Sequence, residues 1–150
     1  MLLFITNSAL GDVLPDELFN IKLMSNVSSL KGDISQGKGI VQIKGIPYVY
    51  YAVDNKHYDT NGTFQNILVQ VKKADGTISS IIGESKFPET ECLPKLQEYK
   101  AIIEKEYNIQ FDKNAHQSDT YYSLVQDNKI LLLICEIKRE AKLKLILGKL

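Results

Sequence analysis

Seven stretches of this chain are β-rich runs whose two faces are read at a spacing of two: 39–44, 48–55, 64–73, 77–83, 120–126, 129–138 and 142–147. That spacing places successive side chains on opposite faces of a β-strand. The pairs Asn61-Gly62, Asp75-Gly76 and Asp127-Asn128 lie between such stretches and tolerate the positive φ angles of tight hairpins. Residues 2–6 read as a first strand. Over residues 15–24, Leu18, Phe19 and Leu23 fit a short helix with Asp16 and Glu17 in its first turn. The Ser-, Gly- and Asn-rich segment 25–38 reads as a loop or an edge strand.

The period changes over residues 91–107. Cys92, Leu96, Tyr99, Ile103 and Tyr107 form one helical stripe with Ile102 beside it, and Lys95, Glu98, Lys100, Glu104 and Lys105 fall on the other side. Thr90 or a neighbour caps this helix, Pro94 belongs in its first turn and Asn108 ends it.

A two-residue turn at Asp127-Asn128 sets Val125 opposite Ile130, Leu124 opposite Leu131 and Tyr122 opposite Leu133. One strand face then collects Tyr122, Leu124, Leu131, Leu133, Cys135 and Ile137. A three-residue turn before the last strand adds Leu143, Leu145 and Leu147. The opposite face mixes Lys129, Glu136, Lys138, Lys142 and Lys144 with Ile130, Leu132 and Ile134. The predicted fold is α+β: a single antiparallel β-sheet of hairpins and a meander, with one long amphipathic helix packed on one face.

A chain of 150 residues, 44% apolar and 24% charged, fits a single domain over 1–150 with a real core. Its 18 basic and 18 acidic residues cancel, so it lacks the electrostatic footprint of a nucleic-acid binder. The cluster Lys138, Arg139, Lys142, Lys144 and Lys149 alternates with apolar residues and reads as the wet face of a strand. No run reaches the roughly 18 apolar residues of a membrane span. Residues 1–11 allow two readings. Ala9-x-Gly11 has the small-residue spacing of a signal-peptidase site, which would make the segment the remnant of a signal sequence. No positive charge precedes it, which favours the first strand.

The two cysteines bear on compartment. Cys135 lies on the sheet face that takes the helix, and Cys92 lies on the helix stripe that takes the sheet. A helix on a sheet can bring Cα atoms within the roughly 7 Å a disulfide needs. A matched pair is the usage of exported proteins, which favours a periplasmic or secreted location over the cytoplasm. Two buried free thiols in a cytosolic core are the alternative. A catalytic Cys92 would gain reactivity from a helix N-terminus, but no histidine stands beside it in sequence.

No sequence motif for a nucleotide, a metal or a nucleophile occurs, and no cofactor is expected. His57, with Asp54 and Asp59 nearby, and His116 both sit in polar segments that read as solvated turns. The strand 48–55 is rich in tyrosine: Tyr48 and Tyr50 share a face with Ala52, Tyr51 shares the other with Val49 and Val53, and Tyr58 follows. Such residues either pack half in a core or anchor a binding surface. The function expected is that of a non-enzymatic protein-binding module, a small exported or immunity-type bacterial protein that masks a partner protein. Tyr48, Tyr50, Tyr51 and Tyr58 are its candidate contacts. The alternative is a small hydrolase whose site gathers His57, Asp59 and His116 from distant positions.

Overall fold

A computed structural model describes residues 13–58, 60, 62–111 and 120–150. The expected strand over 2–6 and the question of residues 1–11 lie outside them. The first described elements are a small hairpin, β1 (Glu17–Leu18) and β2 (Ile21–Lys22), and a 3-10 turn at Val27–Ser29. The main strands are β3 (Ile34–Ile43), β4 (Ile46–Val53), β5 (Asn66–Lys72) and β6 (Ile78–Phe87). Helix α1 (Glu89–Tyr107) comes next, then β7 (Tyr121–Gln126), β8 (Lys129–Ile137) and β9 (Ala141–Lys149). They form one seven-stranded antiparallel sheet in the order β3-β4-β5-β6-β9-β8-β7, with α1 against β8 and β9. The fold is α+β.

The C-terminal meander has the register that alternation implies. Asp127 and Asn128 take φ of 51° and 62°, both left-handed, so the strand twist carries through a two-residue turn. Tyr122 pairs with Leu133 and Leu124 with Leu131. Ile137 pairs with Ala141 across the turn 138–140, which brings Leu143, Leu145 and Leu147 onto the same face, all fully buried. Lys44 and Gly45, at φ of 52° and 79°, make a second turn of this kind between β3 and β4.

Four expectations need correction. The helix over 15–24 is instead the β1–β2 hairpin, turned by Phe19 and Asn20 at φ of 57° and 68°. Leu18 and Ile21 pair directly, both 2% exposed or less, and a segment this short cannot sustain a helix against that burial. Asp75-Gly76 lies inside a longer connection, because Lys72 N–H closes on the Thr77 carbonyl at 2.8 Å. Helix α1 starts at Glu89, so Pro88 and not Thr90 is the N-cap, and Pro94 stands in the second turn. Pro94 has no N–H for the Thr90 carbonyl, and both residues are exposed, so water can take its place. Lys129 belongs by parity with Leu131, not with Leu132, and its Nζ lies 2.6 Å from Asp16 Oδ1 on the helix side of the sheet.

The core fills the space between that side of the sheet, the α1 stripe of Cys92, Leu96, Tyr99 and Ile103, and the N-terminal segment. A Cβ on Gly83 would meet Phe19 and Phe64 at 2.5 Å and 2.9 Å, so glycine at this position lets Phe19 lie down on β6. Phe19, Phe64 and Tyr99 then stack edge to face at centroid distances of 5.7 Å and 5.3 Å. Cys92 and Cys135 are joined in a disulfide with Cα atoms 5.9 Å apart, 43 positions apart in sequence. The bond pins the start of α1 to the middle of the meander. At the opposite edge β3 is exposed along its whole length, and a bulge between Gln36 and Ile40 breaks its pairing. Among the described residues no helix is long and apolar enough to cross a membrane.

Candidate functional site

Helix α1 and the N-terminal segment both lie on one side of the sheet, and no described element packs over the other. Directly paired residues share a face, so the composition of that open side follows from the registers. Ala52, Leu68, Ile82, Ile146 and Leu132 run in one row across β4, β5, β6, β9 and β8. Ile130 and Val125 flank the row on one side, and Ile134 and Tyr121 on the other. Leu68, Ile130, Leu132, Ile134 and Ile146 are half-buried and Val125 is exposed. Ile82 is 8% exposed, yet it stands outside the helix-side core, so its shielding comes from its row neighbours. Gly148 keeps the surface low, since a Cβ there would meet Ser80 Oγ at 2.9 Å.

A polar cluster is set into this surface. Gln70 is 9% exposed. Its Nε2 donates to the Tyr50 hydroxyl at 2.9 Å, and its Oε1 accepts from Ser79 Oγ at 3.0 Å. The ring of Tyr50 is thereby held upright on the open face. Tyr48, one pleat along on the same face, lines a groove of about 490 Å³ at the end of the sheet, with Met24, Ile43, Ile46 and Leu150 as its apolar walls. Lys44, Lys72 and Lys149 also line it.

The two ends of the face differ in charge. At the far end Glu136 lies 3.3 Å from Lys144 and 3.5 Å from Lys138, and Glu140 lies 3.4 Å from Lys86. Partial burial pushes the Glu136 carboxyl up, but the charges and hydrogen bonds of Lys144 and Lys138 outweigh it and hold the group below its ordinary value. Among the described residues, none of the three groove lysines makes such a pair. Asp75 and Asp16 feel the charges of Lys72 and Lys149, but their stronger partners lie elsewhere. Asp75 accepts from Thr77 N–H at 3.0 Å, and Asp16 is bound to Lys129.

The four tyrosines singled out in the sequence are divided by the sheet. Tyr48 and Tyr50 stand on the open face. Tyr51 packs on the core from the helix side and donates to Gln36 Oε1 at 3.3 Å. Tyr58 also packs on the core, and its hydroxyl accepts from the Lys31 N–H at 2.6 Å. His57 is exposed beside Tyr58, at a cleft of about 460 Å³ that Lys22, Ser25 and Lys31 line as well. Asp54 Oδ1 accepts from Lys56 N–H at 2.9 Å. Asp59 and His116, the other two members of the hydrolase alternative, lie outside the described residues. Among the described residues no group of three metal-ligating side chains occurs.

Sequence reasoning missed Leu68, Ile82, Gln70 and the groove lysines. A signal for the first two was present. Ile67-Leu68-Val69 and Ile81-Ile82 are apolar at both parities, which marks strands with apolar surface on both faces. No protein-family model, no curated protein and no solved structure matches this chain.

Proposed function

We propose that this protein is a non-enzymatic binding module that masks a partner protein with the open face of its sheet, as a small exported or immunity-type bacterial protein would. One observation carries the reading: the apolar row Ala52, Leu68, Ile82, Ile146 and Leu132, continuous across five strands on the side that no described element covers. With strands about 4.8 Å apart the row spans roughly 19 Å, so an interface burying about 800 Å² on one partner would also take in the flanking Ile130, Ile134, Tyr48 and Tyr50. Tyr48 and Tyr50 supply large, stiff contact surfaces beside it, and Gln70 sets the pose of Tyr50 before any partner arrives. The disulfide supports a periplasmic or secreted location, because such bonds persist in oxidising compartments.

The test is site-specific photo-cross-linking in the native organism, with the probe at Leu132 on the open face or at the exposed Ala101 on the back of α1. A partner captured from Leu132 and not from Ala101 is then purified and titrated by calorimetry. Leu132→Asp is expected to weaken that complex by about 2 kcal/mol or more, as placing a charge against a buried apolar contact does. Equal capture from both positions, or an affinity unmoved by Leu132→Asp, rejects the sheet face as the binding surface.

A further inference from the structure

Resting on that reading, we infer that the groove beside Tyr48 receives an acidic segment of the partner with a bulky apolar side chain at its centre. The apolar part follows from the walls: Met24, Ile43 and Ile46 are 54%, 40% and 37% exposed although they face one another across a concave surface. A volume of about 490 Å³ lies within the ~300–1,000 Å³ typical of ligand pockets. Where Gln70 and Ser79 line it, Ser79 Oγ donates to Gln70 Oε1 and Gln70 Nε2 donates to the Tyr50 hydroxyl, so both side chains are engaged before an apolar group enters.

The acidic part follows from charge. Lys44, Lys72 and Lys149 come from three separate elements, the β3–β4 turn, β5 and β9, and meet around one opening. Among the described residues no acidic side chain lines it. The protein carries equal numbers of acids and bases, and the lysines at the other end of the same face are paired with Glu136 and Glu140. The positive field at the groove is therefore a local imbalance and not a by-product of net charge. Such fields raise encounter rates with opposite charge and reject like charge. A second copy of this chain is a poor occupant, because apposing grooves would bring two sets of lysines together.

The experiment selects a phage-displayed library of random twelve-residue peptides against the intact, oxidised protein. The expected winners combine a Leu, Ile, Phe or Tyr with two or more acidic residues. A synthetic winner, followed by fluorescence anisotropy, should bind about tenfold more weakly to Lys44→Glu and to Lys72→Glu, and more weakly as salt rises. Lys44 is exposed in a turn, so its variant tests the groove even if Lys72→Glu disturbs β5. Neutral or basic winners, or no enrichment, overturn the proposal. Winners weakened by Leu132→Asp but indifferent to both lysine variants overturn the groove alone and leave the sheet face standing. Winners indifferent to all three variants overturn both.

Discussion

Gln70 and Asp16 are two polar residues whose neighbours determine what they do. Gln70 is nearly enclosed on the open face, and its amide links Tyr50 to Ser79. Tyr50→Phe removes the acceptor of its Nε2 and should cost about 1 kcal/mol in urea melts, the scale of one hydrogen bond. Tyr48 makes no such link. Tyr48→Ala is expected to leave the melt nearly unchanged and to weaken partner binding by about 1–2 kcal/mol or more, the range of interface anchors. Loss of folding in that variant would assign Tyr48 to the core. Asp16 works through charge. The hydrogen bond and charge of Lys129, 2.6 Å away, hold its carboxyl below the usual aspartate value. A carboxyl lowered in the folded state stabilises above its unfolded value, and that contribution is lost as pH falls through the folded one. Asp16→Asn should therefore lower the melting temperature at neutral pH, and the difference should close in acid. A difference that persists at about pH 2, well under the ~3.9 of a free aspartate, would show that the side chain acts by packing instead.

At the scale of elements, α1 and the β7–β9 meander were legible because both of their periods survive intact in the sequence. Steps of three and four place Cys92, Leu96, Tyr99 and Ile103 on one stripe, and parity alone places Leu131, Leu133 and Cys135 beneath it. Ile103 is 2% exposed, and Ile103→Ala should cost roughly 2–5 kcal/mol in denaturant melts. A loss under half a kcal/mol would mean that the stripe is misassigned. The disulfide follows from the same two periods. Closing 43 positions, it should stabilise by about 4 kcal/mol in the chain-entropy model. The Cys92→Ala, Cys135→Ala double variant should lose about that much, and unfolded, unreduced protein from its native compartment should titrate no thiols. The β1–β2 hairpin was not legible, since Leu18 and Ile21 are three apart and share a face in a helix as readily as in a tight hairpin. The sheet order was hidden too. Pairing of β9 with β6 joins two elements separated by a helix and two strands, and only the doubled apolar parity of residues 145–147 hints that β9 is central.

At the scale of the whole molecule, one helix of 19 residues, about 28 Å long, cannot cover both faces of a seven-stranded sheet. Antiparallel sheets commonly leave one face to water, and that face is then polar. Here it is polar at its ends and apolar in between. The sequence disclosed the mixed character of residues 130–134 but not the extension of the row through Ile146 and Ile82 to Leu68, which needs the register of strands distant in the chain. Nor could a net charge of zero reveal that the lysines at one end are paired while, among the described residues, those at the groove make no ion pair. If the face serves binding, its apolar residues contribute little to folding. Leu132 and Ile146 sit directly opposite each other at the β8–β9 end of the row, both half-buried. The Leu132→Lys, Ile146→Lys double variant should lose no more than about 1 kcal/mol in urea melts, within the range of surface changes. It should also abolish capture of the partner and reduce any concentration-dependent association in sedimentation, since it breaks the apolar row with two charges. A double variant that fails to fold would give the opposite answer: the row would be a second core, and the recognition surface would have to be sought elsewhere.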